Sequence, residues 1–242
     1  MHYLKLYQTL VEQTADKGNL VKPSVLYTKE NKTVTYLQQV IDFKDAITKK
    51  WCVDNFDTDK DGNVSYAEAK KIKELPNTFP KKATSFDEFQ YFTSVTSIGE
   101  NTFLNCDSFQ SIIIPSGVTS IGGNAFGNCP SLSRITIPNS VKTIGSYAFK
   151  NCSSLPSITI PNSMTSIDIM TFSDCTSLSS VTIPNSVTTI GNGAFDNCTS
   201  LSSITFNGTI VQWKAITKVT DWNHGVPSTT KVTCTDGQTT MN

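Results

Sequence analysis

The sequence carries no excess of charge of either sign, since its 20 Lys and Arg residues are matched by 20 Asp and Glu residues. Binding to nucleic acid requires Lys and Arg to be concentrated on one face, so this balance argues against DNA or RNA as a partner. The chain contains no run of 18 apolar residues, which predicts that it has no transmembrane helix. Residues 1–10 lack an uninterrupted apolar stretch, so we expect no signal peptide there.

The motifs of common catalytic sites are also missing. The chain has two histidines, His2 and His224, and neither belongs to an H-E-x-x-H motif; G-x-S-x-G and G-K-[ST] do not occur. Serine and threonine are abundant, but a hydroxyl nucleophile needs a neighbouring base. The carboxylates of residues 92–206 are isolated from one another, whereas glycosidases use a pair. We therefore predict that the protein is not an enzyme.

The charged residues are concentrated in the amino-terminal part of the chain. Residues 1–91 contain 27 of the 40 Lys, Arg, Asp and Glu residues. Residues 92–206 contain only eight, and consist mostly of Ser, Thr, Asn, Gly and apolar residues. Such a change of composition predicts a domain boundary near residue 91.

Residues 92–206 contain an internal repeat with a fixed 23-residue period. The unit reads V-x-x-I-G-x-x-A-F-x-N-C-x-S-L-x-x-I-x-I-P-N-S. Three of its columns are Ile98, Ile121, Ile144, Ile167 and Ile190, then Phe103, Phe126, Phe149, Phe172 and Phe195, and then Cys106, Cys129, Cys152, Cys175 and Cys198. A unit of this size cannot bury its own apolar side chains, and stacked copies place each of them against its equivalent. The sequence therefore predicts a solenoid of about five repeats.

Each repeat also carries strand and turn signals. The L-x-x-I-x-I segment alternates apolar and polar residues as a half-buried strand does, and the Pro after it ends the strand because it lacks a ladder donor. A second extended segment, V-x-x-I, ends at a Gly column that Asp168 interrupts. Since Asp tolerates a left-handed backbone, we expect the turn to survive there. We expect A-F-x-N-C to form a single turn of α- or 3₁₀-helix.

This pattern resembles the leucine-rich repeats of the BspA-like family. The resemblance covers about half of the chain and rests on L-S-R-I-T-I-P-N-S-V-K-T-I-G-S-Y-A-F-K-N-C, residues 132–152, and on the neighbouring repeats. It implies a bacterial cell-surface or secreted protein with a role in adhesion, and host matrix proteins as partners. The W-x-x-I…W…C-T-D-G pattern from Trp213 to Gly237 is similar to the carboxyl-terminal ends of BspA-like proteins.

The seven cysteines are compatible with three arrangements. Equivalent positions on stacked rungs point the same way, which favours a ladder of buried free thiols. Disulfides between adjacent rungs are an alternative, because the rungs lie within disulfide reach. A metal site is disfavoured, since a linear ladder does not make a tetrahedron. Cys52 and Cys234 lie outside the repeat, and the spacing assigns them no partner.

Residues 57–68, D-T-D-K-D-G-N-V-S-Y-A-E, match the twelve-residue calcium loop of an EF-hand position by position. The ligands for Ca²⁺ are expected from Asp57, Asp59, Asp61, Asn63 (through its main-chain carbonyl), Ser65 (often through water) and Glu68 (through both carboxylate oxygens). An acidic, solvated turn is the alternative. Because sensor hands come in pairs and no second loop of this type occurs, we expect the ion to have a structural role.

Both ends of the solenoid need caps, because terminal rungs expose apolar surface. We predict a helix-rich region over 1–91 whose residues 43–91 cap the first rung, the repeat solenoid over 92–206, and a cap over 207–242. In the first cap, Ile47, Trp51 and Phe56 suit a helix that enters the acidic loop, and Ala67, Ala69, Ile72 and Leu75 suit one that leaves it. Phe86, Phe89 and Phe92 have helical spacing, and Trp213, Ile216 and Trp222 can cover the last rung. For these aromatic residues, an exposed binding surface is the alternative to a docked cap. Residues 6–13 suggest a further helix, but residues 1–42 suggest no role.

Two outward positions recur in each repeat strand and are brought into columns by stacking. One column consists of Ser111, Arg134, Ser157, Ser180 and Ser203. The other consists of Ile113, Thr136, Thr159, Thr182 and Thr205. The resulting face is regular, rich in hydroxyl groups and charged only at Arg134, which makes Arg134 the best candidate for a specific contact. For each position, a solvated strand residue without function is the alternative.

Together these features predict an α/β repeat solenoid of the leucine-rich type that acts as a monomeric, non-catalytic module. It would bind a protein or glycan ligand through the Ser/Thr-rich face, with Ca²⁺ stiffening one end. An architectural spacer within a larger surface protein is the alternative function. Five rungs spaced at ~4.8 Å make a stack of only ~24 Å, which is short for a stalk.

Overall fold

A computed structural model describes residues 39–241 of the chain. The helix suggested for residues 6–13 therefore lies outside the described residues. Three α-helices are present in the described part: α1 (Ala46–Phe56), α2 (Tyr66–Ala69) and α3 (Ile210–Ala215), together with a 3₁₀-helix over Asp87–Tyr91. Within residues 39–241, no helix is long and apolar enough to cross a bilayer.

Side-chain caps define where the amino-terminal helices begin. Asp45 accepts a hydrogen bond from the Thr48 main-chain N–H at 2.6 Å at the start of α1. Its other carboxylate oxygen accepts from the N–H and the hydroxyl of Thr84, which fixes α1 to the chain that enters the solenoid. Ser65 and Glu68 form a capping box at the start of α2.

The helix expected after the acidic loop is much shorter than Ala67–Leu75. Helix α2 ends at Ala69, so Ile72 and Leu75 lie beyond it. Leu75 precedes Pro76, which disfavours helical backbone at the preceding residue. The non-helical chain then brings Phe79 to the end of the repeat stack, where its ring lies 4.7 Å from that of Phe103, measured between centroids.

The rest of the described chain forms a regular succession of short strands that recurs in each rung, a longer strand followed by a shorter one. The strands are β1 (Ser85–Phe86), β2 (Ser97–Ile98), β3 (Ser111–Ile113), β4 (Ser120–Ile121), β5 (Arg134–Thr136), β6 (Thr143–Ile144), β7 (Ser157–Thr159), β8 (Ser166–Ile167), β9 (Ser180–Ile183), β10 (Thr189–Ile190), β11 (Ser203–Phe206), β12 (Thr217–Lys218), β13 (Lys231–Cys234) and β14 (Gly237–Thr239). The odd-numbered strands from β1 to β13 form the long-strand face, and the even-numbered strands from β2 to β12 form the short-strand face.

Equivalent strands pair in parallel, each residue with the same position of the neighbouring repeat. Ser111 pairs with Arg134, and Ser180 pairs with Ser203. At the carboxyl-terminal end, β13 extends the long-strand face in parallel with β11, and β14 adds to it as an antiparallel strand. The predicted solenoid of stacked repeats is therefore confirmed.

Neither face is one continuous sheet. The long-strand face divides into β1-β3-β5 and β7-β9-β11-β13-β14, and the short-strand face divides into β2-β4-β6 and β8-β10-β12. Both interruptions fall between the rung that carries β5 and β6 and the rung that carries β7 and β8. We call this position the rung junction.

The third side of each rung is a turn rather than the expected helical turn. Each turn holds two residues with positive φ, four positions apart: Asn101 and Asn105, Asn124 and Asn128, Tyr147 and Asn151, Met170 and Asp174, and Gly193 and Asn197. Each segment is closed by an i→i+3 hydrogen bond, as from the Gly127 N–H to the Asn124 carbonyl at 2.9 Å, but the left-handed residues on either side prevent a helix, so A-F-x-N-C forms an isolated turn. The turn instead bonds to the next rung, for example from the Phe126 N–H to the Ala148 carbonyl at 2.8 Å.

The core is a stack of identical side chains. Neighbouring rings in the series Phe103, Phe126, Phe149, Phe172 and Phe195 have centroids 4.9, 5.2, 5.5 and 5.4 Å apart and lie within 16° of parallel. Phe86, Phe89 and Phe92 are fully buried at one end of this core. Trp213 and Trp222 are buried at the other end, where Trp222 contacts the last ring, that of Phe195. Both sets of aromatic residues are therefore docked caps rather than exposed binding surfaces.

All seven cysteines are free and buried, as the ladder arrangement requires. From Cys129 onward, each repeat thiol donates to a phenylalanine carbonyl of the preceding rung, for example Cys152 Sγ to the Phe126 oxygen at 3.2 Å. Burial raises the pKa of the Cys152 and Cys198 thiols to about 12. These thiols are therefore neutral at physiological pH, which keeps them chemically inert.

The glycine column is required for close approach between rungs. A Cβ atom at Gly122 would lie 2.6 Å from the Glu100 nitrogen, and one at Gly145 would lie 2.7 Å from the Gly123 nitrogen. Neither glycine has positive φ; the left-handed residues lie two positions later, at Asn124 and Tyr147. The expectation that this column serves a left-handed turn is therefore wrong.

We predict that Gly122→Ala destabilises the protein, whereas the neighbouring Gly123→Ala has little effect. A Cβ at Gly123 would meet only the Ser146 carbonyl at 3.3 Å. Overpacking costs about 1–3 kcal/mol, which lowers Tm by roughly 2–4 °C per kcal/mol in a protein of this size. Thermal unfolding followed by circular dichroism measures the difference. Equal midpoints for the two variants would contradict the close-approach explanation.

Candidate functional site

The acidic loop lies between α1 and α2 and brings three carboxylates together. Asp57 accepts hydrogen bonds from the N–H groups of Lys60 (2.7 Å) and Gly62 (2.9 Å), which curl the chain back on itself. Gly62 has a φ of 82°, a left-handed conformation that favours glycine. As a result, carboxylate oxygens of Asp57, Asp59 and Asp61 lie within 4.8 Å of one another.

Glu68 closes the loop through hydrogen bonds. Its carboxylate accepts from the N–H and hydroxyl of Thr58, both at 2.7 Å, and from the N–H and hydroxyl of Ser65, both at 2.9 Å. Burial alone would raise the pKa of Glu68, but these hydrogen bonds outweigh it and lower the pKa to about 2. Of the four predicted carboxylate ligands, the structure gathers Asp57, Asp59 and Asp61 within 4.8 Å of one another, and Glu68 is not part of that group.

The other loop positions anchor the loop to the rest of the cap. Val64 is buried, and its carbonyl accepts from the Ile41 N–H at 2.8 Å. The Tyr66 N–H donates to the Gln39 carbonyl at 2.9 Å, so a short extended segment before α1 lies against the loop. Asn63 is half-buried, and its main-chain N–H donates a hydrogen bond to the Asp61 carboxylate. Ser65 is buried, and its hydroxyl group belongs to the capping box of α2.

The chemistry of this loop suits a hard cation. Carboxylate and carbonyl oxygens are the ligands that Ca²⁺ prefers, and all six predicted ligands are of this kind or hydroxyl oxygens. Partial desolvation and the negative charges of Asp61 and Glu68 raise the pKa of Asp59. A divalent cation bound among the aspartates would relieve that repulsion.

We predict that Glu68 makes the stability of the calcium-free protein depend on pH in the acidic range. The folded-state pKa of Glu68 is lower than its ordinary value of 4.5, so its stabilising effect is complete above pH 4.5 and is lost as the pH falls towards 2. Tm measured from pH 7 to pH 2 in calcium-free buffer should fall less steeply for Glu68→Gln than for the wild type. Glu74→Gln, at an exposed position, is the matched control and should follow the wild type. Parallel curves for Glu68→Gln and the wild type would show that these hydrogen bonds do not stabilise the fold.

The second candidate site is the long-strand face, whose columns form as predicted on one side of the rung junction. Strand pairing aligns Ser157 with Ser180 and Ser203, and Thr159 with Thr182 and Thr205. These six side chains are exposed or half-buried. Arg134 and Thr136 are also exposed, but they align with Ser111 and Ile113 and do not pair with β7.

The carboxyl-terminal cap adds two residues to these columns that sequence reasoning missed. Lys231 pairs with Ser203, and Thr233 pairs with Thr205. The K-V-T-C segment has the same alternation as the repeat strands, but the chain from Ser203 to Lys231 is longer than one repeat. Arg134 is therefore not the only charged residue of the face.

Arg134 joins the long-strand face to the amino-terminal cap. Its Nη2 lies 2.7 Å from Oδ2 of Asp87, which is buried in the 3₁₀-helix, and Lys44 Nζ lies 3.7 Å from the same oxygen. About two thirds of the Arg134 side chain remains accessible (66%). Its guanidinium thus has a structural partner far away in the sequence, which no local motif could have indicated.

The repeat region is similar to known proteins. The family model for the BspA-type leucine-rich repeat region matches residues 73–202 in six copies. No curated protein matches the chain.

Solved bacterial structures are similar over part of the chain. A leucine-rich repeat protein of T. pallidum is 40% identical over 46% of this chain and 52% of its own length, with a TM-score of 0.45. A leucine-rich cell surface protein of Faecalibacterium prausnitzii is 34% identical over 60% of this chain and 37% of its own, with a TM-score of 0.50. The pneumococcal vaccine antigen PcpA, 20% identical over 67% of this chain and 38% of its own, has a TM-score of 0.51 and shows the shared fold alone. The chain thus spans about half, or less, of the length of these proteins.

Proposed function

Because the chain belongs to the BspA-type leucine-rich repeat family, we propose that it is a non-catalytic binding module of a bacterial cell-surface or secreted protein. The observation that carries the proposal is the long-strand face, where main-chain pairing aligns side chains in two columns. One column runs from Ser157 to Lys231 and the other from Thr159 to Thr233, and every side chain but that of Lys231 carries a hydroxyl group. Similarity to the F. prausnitzii cell surface protein supports the location.

The face is suited to recognition because it is formed before any ligand arrives. Its strands rest on a continuous core of stacked Phe, Ile and Leu side chains that are almost fully buried. A rigid surface loses little conformational entropy on binding, so more of the contact energy remains as affinity. Hydroxyl groups both donate and accept hydrogen bonds, so the face fits a protein or glycan ligand, with a host matrix protein as one such partner.

We predict that the paired substitution Thr159→Lys with Thr182→Lys abolishes ligand binding. Two long, charged side chains would cover the centre of the hydroxyl columns and add desolvation cost. Binding of the protein to a panel of host matrix proteins and mucin glycans, measured by surface plasmon resonance, tests this. Thr143→Lys with Thr189→Lys places the same two charges on the short-strand face and should bind like the wild type.

If the wild-type protein binds nothing in this panel, the architectural spacer becomes the favoured function. Loss of binding in both Lys pairs would instead indicate a general effect of added positive charge.

We also propose that the acidic loop binds Ca²⁺ and that the ion has a structural role. Asp57, Asp59 and Asp61 would hold it, with Asn63, Ser65 and Glu68 as the remaining ligands. Support comes from the three converging carboxylates and from the raised pKa of Asp59. The ion would supply positive charge that neutralises the loop and thereby fixes α1 against α2.

Calcium should therefore raise Tm, and EDTA should reverse the increase. Ligand at about 100 times its Kd contributes ~2.7 kcal/mol, or roughly 5–10 °C in a protein of this size. The double variant Asp59→Asn with Asp61→Asn should remove the calcium response. Replacing Asp42 and Asp54, which lie outside the loop, by Asn should preserve it. If the Tm of the wild type is the same in calcium and in EDTA, the loop does not bind calcium and is an acidic, solvated turn.

A further inference from the structure

Two buried carboxylates lie where the amino-terminal cap joins the solenoid. Asp87 and Glu88 begin the 3₁₀-helix that follows β1, and each residue is 4% exposed. The buried carboxylates of Asp45 and Glu68 accept hydrogen bonds on both of their oxygens. Within residues 39–241, by contrast, Oδ1 of Asp87 and Oε2 of Glu88 have no hydrogen-bond partner. A buried polar group without a partner costs free energy, so these two oxygens call for an explanation.

Positive charge at this join compensates Asp87 rather than Glu88. Oδ2 of Asp87 lies 2.7 Å from Nη2 of Arg134 and 3.7 Å from Nζ of Lys44. In the part of the chain that the structure describes, Glu88 forms no ion pair. Its Oε1 accepts a hydrogen bond from the main-chain N–H of Lys44 at 3.1 Å. The side chain of Lys44 is mostly exposed, so water weakens the attraction of its ammonium group for either carboxylate.

The titratable groups that face Glu88 from the helices of the cap are neutral. Cys52 in α1 is fully buried, and burial together with the negative charge of Glu88 raises the pKa of its thiol. Tyr66 in α2 packs edge-to-face with Tyr91, with 4.8 Å between the ring centroids. Burial, the Tyr91 hydroxyl and the negative charge of Glu88 raise the pKa of Tyr66. Neither the thiol nor the phenol ionises at physiological pH, so neither affects the charge around Glu88 there.

These surroundings disfavour the charged form of Glu88. Loss of hydration raises the pKa of its carboxyl group above the ordinary value of 4.5, and the negative charge of Asp87 raises it further. Main-chain hydrogen bonds and the Lys44 ammonium group lower this pKa but do not outweigh burial. The folded protein thus binds the proton more tightly than the unfolded chain does. The stabilising effect of this proton is complete below pH 4.5 and is lost as the pH rises through the folded-state pKa.

The contacts that dock the cap on the solenoid lie close to Glu88 along the chain. The Thr48 hydroxyl in α1 donates to the Ser85 carbonyl at 2.8 Å. The ring of Phe43, in the segment before α1, lies 6.4 Å from that of Phe86, measured between centroids. An ionised Glu88 favours states in which water reaches its carboxylate, and such states require the cap to move away from these contacts. The charge of Glu88 therefore acts on the docking of the cap.

We propose that Glu88 is a pH-sensitive switch that controls how tightly the amino-terminal cap is docked on the solenoid. In mild acid a proton from the solvent adds to the unpartnered Oε2, and Oε1 keeps its hydrogen bond from the Lys44 N–H. Towards neutral pH this proton is lost, and the buried charge favours separation of the cap from the first rungs. The inference goes beyond the proposed binding function, because it depends on neither a ligand nor calcium.

Thermal unfolding of the full chain between pH 4.5 and pH 8, in calcium-free buffer, tests the switch with the variant Glu88→Gln. Glutamine resembles the protonated carboxyl group and carries no charge at any pH. At pH 7 the Tm of the variant should be roughly 2–4 °C above that of the wild type. This difference should shrink steadily as the pH falls to 4.5. All other titrating groups are common to the two proteins, so the comparison isolates Glu88.

Glu100→Gln removes an exposed carboxylate of the first rung and is the matched control, so its Tm should follow that of the wild type at every pH. A difference between Glu88→Gln and the wild type that stays constant from pH 4.5 to pH 8, or that grows as the pH falls, overturns the proposal. Carbon-13 NMR of the wild type gives a measurement that does not depend on how the variant packs. The Glu88 carboxyl signal should titrate with a midpoint above pH 4.5, and a midpoint at or below that value also overturns the proposal.

Hydrogen exchange tests whether the proton acts on the docking of the cap. At pH 7 the Lys44 amide, which bonds to Glu88, should be less protected than the Phe126 amide, which bonds to the Ala148 carbonyl inside the solenoid. That difference would show that the cap opens while the solenoid stays folded. The Lys44 protection factor should rise several-fold from pH 7 to pH 5 in the wild type and stay constant in Glu88→Gln. Equal protection of the two amides, or a wild-type Lys44 value that does not change with pH, would mean that Glu88 does not control the cap.

Discussion

The close stacking of equivalent side chains is the constraint on which the rest of the structure depends. Phenylalanine rings repeat about every 5 Å along the core, a distance that also allows main-chain pairing on all three sides of each rung. At this spacing there is no room for a Cβ atom where Gly122 and Gly145 meet the preceding rung. It also leaves an apolar rung exposed at each end, which the buried aromatic residues of the two caps cover.

The same constraint explains which features could be predicted from the sequence. A fixed repeat period places Phe126 against Phe149 and Ser180 against Ser203 without further information, so the solenoid and the columns of the long-strand face followed directly. The turn conformation did not, because A-F-x-N-C contains good helix formers and only the positive φ of residues such as Asn124 and Asn128 prevents a helix. In the acidic loop, sequence spacing predicted the convergence of three aspartates but not the hydrogen bonds that Glu68 makes with Thr58 and Ser65.

Contacts between the caps and the repeat were beyond sequence reasoning, because they join residues far apart in the chain. The pair Arg134–Asp87 is one example, and the column residue Lys231 is another. Next to Asp87, burial raises the pKa of Glu88, and one carboxylate oxygen of each residue has no hydrogen-bond partner within residues 39–241. Phe86, which precedes Asp87 in the chain, packs in the same region with the rings of Trp51 and Phe79.

The rung junction also determines how cooperatively the molecule unfolds. In a repeat protein each rung is stabilised mainly by its neighbours, so a junction with fewer main-chain bonds couples the two sides less strongly. The strands β1–β6 retain the amino-terminal cap with Trp51, and the strands β7–β14 retain the carboxyl-terminal cap with Trp213 and Trp222. Each block thus has its own cap and its own share of the core. The junction is consequently the position at which the two blocks are expected to uncouple first when the solenoid unfolds.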